Sequence, residues 1–489
     1  MLFNSLSFLV FFPIVTTLYF LIPHRWRTPL LLLASCIFYM AFVPAYILIL
    51  AFTIVIDYTA GIWIEGSQGR RRKAALVASI IANVGVLAVF KYYGFLTENV
   101  RLLAHLFGTE ASLPVLRILL PIGLSFHTFQ AMSYTIEVYF GRFPAERNFL
   151  RYALYVMFYP QLVAGPIERP QNLLHQFREE HVFDYERVAS GLLRMALGMF
   201  KKVVIADTLA VYVNAVYSKP QAHHGLTLVL ATFFFAFQIY WDFSGYSDIA
   251  LGSAQVMGFQ LMENFRTPYL SASISEFWRR WHISLSSWFR DYVYVPLGGN
   301  RVPRPMRYRN LMIVFLLSGL WHGASWTFVV WGALHGLFLL CGDATRPTRQ
   351  RLLARMGVSA ASPLLRAWSV TVTFLLVTVA WIFFRATTFA DAFYVLTHLQ
   401  SGLLGDLRLL VSRTSSDQLL SLSTIGIRLI SIAGMMIFEA YSRRTDKPGE
   451  TGVIFRMPWQ LRYAVYYFLI YATLLRGGGD HPQFIYFQF

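Results

Sequence analysis

The sequence predicts an all-α polytopic membrane protein, and three observations carry the prediction. Long apolar runs recur from one end of the 489 residues to the other, and a hydrocarbon layer about 30 Å thick requires runs of ~20 such residues. Only 14% of residues are charged, against 56% hydrophobic and 17% aromatic, whereas a soluble domain carries roughly a quarter charged residues. The Lys and Arg residues cluster in short connections between apolar runs, as expected where positive charge marks the cytoplasmic side. That distribution accounts for the net charge of +17, so topology explains it and no nucleic-acid partner is expected.

Taken in order, the spans fall at 5–22, 28–43, 45–64, 74–96, 116–140, 150–165, 188–216, 226–257, 309–340, 366–385, 423–441 and 460–475, about eleven or twelve transmembrane helices. The first lacks the charged leader and small-residue cleavage site of a signal peptide and reads as a span. His24-Arg25-Trp26-Arg27, Arg70-Arg71-Arg72-Lys73 and the stretch Arg142 to Arg151 occupy alternate loops, which places the N-terminus outside and those loops in the cytoplasm. No fixed-period repeat is present, and the most soluble-looking stretch, Arg346 to Ser362, is too short to fold alone. The chain therefore reads as one membrane domain, 1–489, with N-terminal spans in 1–117, a polar core in 118–340 and further spans in 341–489. Its two cysteines, Cys36 and Cys341, lie in or at the end of apolar runs, so neither a disulfide framework nor a metal site is expected.

Between Pro121 and Gly336 polar residues become frequent while the segment stays hydrophobic; at membrane depth such groups must face protein or water. Ser273 and Glu276 form an S-x-x-E capping box. Counted onward at 100° per residue, Phe277, Trp278, Trp281, Leu285, Trp288, Phe289 and Tyr292 share an arc of about 120° opposed by Arg279, Ser286 and Arg290. This predicts one amphipathic helix at an interface or along a cavity, and a plain interfacial anchor is its simplest role.

Of twelve histidines, His322 is the foremost candidate for chemistry. It interrupts a long apolar run inside Ser318-Gly-Leu-Trp-His-Gly-Ala-Ser-Trp326, and an ionisable group in a span is a functional candidate by default. Gly319 and Gly323 beside it permit close approach of another backbone or a substrate. A buried histidine bonded to a neighbouring helix is the alternative. His335, thirteen residues on, would lie about 20 Å away and be rotated by roughly 140° on a continuous helix, which makes it structural or part of a tunnel further along. His282 falls at the edge of the amphipathic arc and ranks second; His127, in a Pro- and Gly-broken segment, ranks third and reads mainly as a packed residue. Asp242 and Asp248 require partners if buried, for which Arg279, Arg280 or a histidine qualify; Asp248 could equally cap a helix end in water. No P-loop, dinucleotide fingerprint, H-E-x-x-H or G-x-S-x-G motif is present, so ATP, NAD, zinc-peptidase and α/β-hydrolase chemistry have no support.

At these residues the sequence resembles the membrane-bound O-acyltransferase family, in its bacterial polysaccharide O-acetyltransferase branch of the alginate O-acetylation type. The resemblance rests on Leu120-Pro-Ile-Gly-Leu-Ser-Phe126, Leu162-Val-Ala-Gly-Pro166, Lys201-Lys-Val-Val-Ile-Ala-Asp207, Asp242-Phe-Ser-Gly-Tyr-Ser-Asp248, Met262-Glu-Asn-Phe265, Glu276-Phe-Trp-Arg-Arg-Trp-His-Ile-Ser-Leu285, Leu297-Gly-Gly-Asn-Arg301, Gly319-Leu-Trp-His-Gly323 and Phe484-Ile-Tyr-Phe-Gln-Phe489. It implies a helical funnel with amphipathic or re-entrant helices in a bacterial cytoplasmic (inner) membrane. It also implies an essential His322 with His282 second, and acetyl transfer from cytoplasmic acetyl-CoA without a permanently bound cofactor. The acceptor would be an extracytoplasmic polysaccharide such as alginate, cellulose, peptidoglycan or another exopolysaccharide, reached through a periplasmic esterase-like partner. The chemistry agrees: a thioester is already activated, so the enzyme needs mainly a base, and a neutral imidazole suits that task. Arg279 and Arg280, flanked by Trp278 and Trp281, are candidates for the CoA phosphates; Trp indoles or His282 are candidates for stabilising the oxyanion. A transporter or flippase is the rival reading, since carriers also use broken helices with intramembrane charges. The absence of an internal repeat and the Trp/Arg-rich helix bearing a histidine weigh against it.

Overall fold

A computed structural model describes all residues except 112, 115–120, 164, 360, 413–417, 446–451 and 477–489. Leu120, Ala164 and the terminal string Phe484 to Phe489, named above, lie outside the described residues. The described residues form helices and no strand. Six helical stretches among them are long and apolar enough to cross a membrane, at Pro44–Gly66, Gly69–Leu106, Gly225–Met257, Trp326–Arg355, Pro363–Arg385 and Leu422–Ser442, with a shorter apolar helix at Leu6–Leu21. The chain divides into two compact units, Met1–Gly198 with Tyr246–Met262, and Met199–Gly245 with Glu263–Phe489.

In the first unit, α1 (Leu6–Leu21) starts where the Ser5 hydroxyl accepts the Phe8 amide at 3.2 Å, an N-cap that satisfies one of the free amides of the first turn. There follow α2 (His24–Met40), α3 (Ile47–Gly66) and α4 (Gly69–Leu87), which continues through a π-helical turn, Ala88–Tyr92, into α5 (Tyr93–Leu106). Next come α6 (Leu124–Tyr139), α7 (Phe149–Met157), α8 (Tyr159–Leu162), α9 (Pro170–Leu173) and α10 (Tyr185–Met199). The expected span 150–165 is interrupted. Phe158 leaves the helical region at ψ 112°, and Pro160, with no N–H, cannot extend the ladder of α7.

The three basic clusters lie at the start of α2, at the start of α4 and from the connection after α6 into α7, the alternation that the positive-inside pattern requires. Polar side chains of α3, α4 and α6 satisfy one another in the interior. The Asp57 carboxylate accepts Ser79 Oγ at 2.6 Å and Asn83 Nδ2 at 2.8 Å, and Ser79 Oγ also reaches Thr135 Oγ1 at 3.0 Å. Thr53 Oγ1 lies 2.7 Å from His127 Nε2, so His127 is a packed histidine held by a neighbouring helix. Asp248 is paired with Arg194 at 3.0 Å.

The second unit opens on a π-helical turn, Phe200–Ala206, followed by α11 (Asp207–Tyr217) and α12 (Gly225–Met257), whose residues from Tyr246 on belong to the first unit. After two short helices, α13 (Ile274–Trp278) and α14 (Ile283–Phe289), the chain forms α15 (Arg304–His322), α16 (Trp326–Arg355), α17 (Pro363–Arg385), α18 (Phe389–His398), α19 (Leu403–Ser412), α20 (Leu422–Thr445), α21 (Gly452–Phe455) and α22 (Trp459–Arg476). Trp241, Trp281, Trp331 and Trp381 are each at most 1% exposed and belong to one aromatic core.

Two expectations are corrected here. The stretch 309–340 is two helices rather than one span. Gly323 is extended (φ −161°, ψ 149°), and the Ser325 hydroxyl caps α16 by accepting the Thr327 amide at 3.3 Å, so the chain turns back between His322 and Trp326. The amphipathic helix begins as foreseen, with Ser273 Oγ accepting the Glu276 amide at 3.2 Å. It stops after one turn, because tertiary backbone bonds from Arg266 N to Arg280 O and from Ile283 N to Asn264 O, both 3.0 Å, hold residues 280–283 away from a helical ladder.

Asp242 is buried beside Lys202, not beside Arg279 or Arg280. Lys202 Nζ lies 2.7 Å from both Asp242 Oδ1 and Asp207 Oδ1, and the adjacent Lys201 pairs with Glu439 at 2.8 Å. Removing one partner of a buried ion pair leaves an uncompensated charge, which costs about 3–5 kcal/mol. Lys202→Met is therefore expected to lower the melting temperature in detergent and to reduce the yield of monodisperse protein; unchanged thermal stability would show that the two carboxylates do not depend on Lys202.

Candidate active site

The hairpin of α15 and α16 places the foremost candidate. The two helices touch backbone to backbone. A Cβ at Gly319 would lie 2.3 Å from the carbonyl oxygen of Phe328, and one at Gly332 would lie 2.2 Å from that of Phe315. These reciprocal pairs share one antiparallel register and show what the glycine beside His322 is for. His322 is the last residue of α15 and only 4% exposed. Its ring lies 4.9 Å from those of Trp321 and Trp331 and 5.3 Å from that of Phe384.

The turn before α14 places the second candidate. His282 adopts φ 42°, ψ 56°, a left-handed conformation uncommon for a residue with a Cβ and of the kind that concentrates at functional sites. Asn264 anchors the following helix, its Oδ1 accepting Ser284 Oγ at 2.7 Å. His282 is fully buried, 4.7 Å from the Phe243 ring, and its ring centroid lies 6.5 Å from that of His322. It lies in the connection between α13 and α14, outside the long apolar helices, and burial pushes its pKa down to about 3. It is thus a neutral imidazole at physiological pH. The two histidines, forty residues apart in sequence, stand side by side.

A cavity of about 1200 Å³ opens in the same unit, walled by α13, α14, α15, α16 and α17. Leu311, Val314, Phe315, Phe338 and Leu376 are among its apolar walls, and Arg279, Arg290, Arg307, Arg346 and Arg349 also line it. Along α15 it extends from Arg307 to Ser318, one helical turn before His322, or about 6 Å along the axis. Trp278 and Arg279 line this cavity. Arg280 and Trp281 do not: Arg280 pairs with Glu276, and Trp281 is 1% exposed, stacked on Phe277 and against Trp381.

Sequence reasoning missed Arg307, Arg346 and Arg349, which sit beyond the apolar runs on helices that continue past them. It also missed Trp331, whose buried indole nitrogen has no hydrogen-bond partner among the described residues. His335 proves to be close to the site, because the turn at 323–325 folds α16 back along α15: Trp331 separates the two histidines, with ring centroids 4.9 Å from His322 and 5.0 Å from His335.

Comparison with known proteins gives a match over residues 142–388 to the family model described as MBOAT, membrane-bound O-acyltransferase family. That stretch contains both histidines and all the residues that line the cavity. The probable alginate O-acetylase AlgI of Pseudomonas aeruginosa is 42% identical over 391 residues, 79% of this chain and 72% of the relative. The protein of the same description from Pseudomonas putida is 37% identical over the whole of both chains. The peptidoglycan O-acetyltransferase of Helicobacter pylori is 35% identical over 81% of this chain and 79% of its own length.

Proposed function

The chain belongs to the membrane-bound O-acyltransferase family and is an O-acetyltransferase, and on that premise we propose that it moves acetyl from cytoplasmic acetyl-CoA to hydroxyls of an extracytoplasmic polysaccharide. The observation that supports this reading best is the arginine-lined cavity that runs along α15 toward His322. Arg290 and Arg307 pair with Asp291 and Asp343, each at 2.7 Å, and Arg279, Arg346 and Arg349 suit a polyphosphorylated donor, since guanidinium pairs with phosphate through charge-assisted bonds. Positive charge on such connections also favours the cytoplasmic side of a bacterial inner membrane. His322 lies about 27 Å along α15 from Arg304, next to the turn at 323–325, where Ala324 and Ser325 are partly exposed. The thioester would approach from one side of His322 and the acceptor from the other.

In the proposed step the acceptor oxygen attacks the thioester carbonyl and passes its proton to His322. The carbon–sulfur bond breaks as the carbon–oxygen bond forms, and the departing thiolate takes the proton from His322, leaving an ester and free CoA thiol. Trp331 offers an indole N–H beside His322 for the negative charge on the carbonyl oxygen. His282, neutral through burial, contributes one hydrogen bond and no cation. Alginate and peptidoglycan, the acceptors that the relatives' names indicate, are the first polymers to supply, with a periplasmic esterase-like protein as a relay.

Purified protein in liposomes, given labelled acetyl-CoA and these acceptors, is expected to release CoA thiol and label the acceptor. Failure to transfer acetyl to any acceptor, with the relay protein present, would overturn the reading. Replacing Arg346 and Arg349 together by alanine is expected to raise KM for acetyl-CoA by about ten- to a hundredfold, the worth of one or two charge-assisted bonds. An acetyl thioester of cysteamine, which has no phosphates, should show no such change. Equal losses with both donors would contradict phosphate binding at those residues.

A further inference from the structure

We propose that His335 is a positioning residue, whose Nδ1 holds Trp278 at the inner end of the cavity and so sets the passage by which a thioester reaches His322. This rests on the donor reading of the cavity given above. Trp278 Nε1 donates to His335 Nδ1 at 3.3 Å. An indole nitrogen only donates, so His335 Nδ1 must accept, and the neutral ring carries its proton on Nε2. The rest of His335's surroundings is apolar. The residue is fully buried, stacked at 7° on Phe277 and walled by Phe315, Trp331 and Trp381. Its Nε2 has no partner among the described residues.

Burying two ring nitrogens in such a box costs free energy unless hydrogen bonds offset it. A leucine or phenylalanine would fill the space without that cost. What the histidine adds is one fixed acceptor, and that acceptor meets Trp278. Trp278 needs it. It is the last residue of α13, a helix of five residues, and is followed within four positions by the left-handed turn at His282, so its own element holds it weakly.

The cavity includes Trp278, Phe315 and Ser318 in its lining but not His322 or Trp331, and His322 is 4% exposed. The acyl end of a donor must therefore pass beyond Ser318 to reach His322. Trp278 borders that step on one side: its ring lies 5.8 Å from Trp331 and 5.2 Å from Phe315. A Trp278 side chain released from His335 would be free to turn toward this end of the cavity, which it lines.

The test compares His335→Leu, His335→Asn, Trp278→Phe and the double variant His335→Leu/Trp278→Phe in liposomes. His335→Leu is expected to cut kcat/KM for the thioester about tenfold, the worth of one buried hydrogen bond, and His335→Asn, with an acceptor near the Nδ1 position, should stay within about twofold of the parent. Trp278→Phe should match His335→Leu, and the double variant should be no worse than either, because both remove the same bond. Multiplying losses in the double variant, or no rescue by asparagine, would overturn the proposal. An independent readout is the indole N–H resonance of Trp278 in nitrogen-labelled protein, assigned by its loss in Trp278→Phe. It should move in His335→Leu and stay in His335→Asn; a resonance indifferent to residue 335 would also overturn the proposal. If the parent protein transfers no acetyl from acetyl-CoA, the proposed function fails while the resonance still decides the role of His335.

Discussion

His322→Ala is expected to lower acetyl transfer by about 10²–10⁴-fold, the usual contribution of a positioned general base, and to leave a protein that still inserts and folds. The reasons for a selective effect are local. His322 closes α15, and the next residue, Gly323, is already extended, so the substitution removes no interior helix turn. The ring fills space between Trp321, Trp331 and Phe384, and truncating it leaves a small void among large rings that can shift toward it. His322→Gln keeps most of the volume and a hydrogen-bonding end but cannot act as a base in this range, so its transfer should be as low as that of alanine. Labelled acetyl transfer and size-exclusion profiles, measured on the same preparations, check both claims. Transfer by either variant within about tenfold of the parent would remove His322 from the chemistry.

Much of the candidate site was legible because its signals are local. An ionisable residue inside an apolar run marks itself, and Gly319 and Gly323 announced the close approach of Phe328, whose carbonyl oxygen meets Gly319 and whose ring meets Gly323. The capping box placed the start of α13 correctly. What sequence reading could not see was set by distant parts of the chain. A hairpin and a single span over 309–340 have the same hydropathy; only Gly323 and the capping Ser325 hinted at a turn, and both are also at home inside membrane helices. The break at 279–282 is imposed by backbone bonds from 264–266, which no periodicity encodes. Asp242 takes its cation from Lys202 on a different element, although Arg279 and Arg280 are nearer in sequence. Arg346 and Arg349 looked like part of a soluble connection because α16 carries them past its apolar stretch. They join Arg279 only when the chain has folded.

The second large effect concerns the hairpin itself. Gly319→Ala is expected to destabilise the protein by about 1–3 kcal/mol, the range for overpacking, and to cut transfer far more than that loss of folded protein explains. A Cβ at 319 would come 2.3 Å from the Phe328 carbonyl oxygen, and that oxygen belongs to the first turns of α16, where it is part of a helical ladder and cannot swing aside as a side-chain tip would. The strain is relieved only if α15 and α16 separate. A separation of about 1 Å is enough to cost roughly 10²-fold in rate when it misplaces a catalytic group, and His322 lies three residues from the point of contact. Gly332→Ala makes the reciprocal contact, 2.2 Å from the Phe315 carbonyl oxygen, and should move the same two helices apart. Gly434, inside α20 and outside the cavity lining, has open space around its Cβ position, so Gly434→Ala controls for the change in helix propensity. Melting temperature in detergent and kcat, read for all three variants, separate the two causes. If Gly319→Ala and Gly332→Ala behave like Gly434→Ala, the helices do not meet backbone to backbone. If they melt early but keep the parent kcat, the contact is structural and His322 is positioned by other residues.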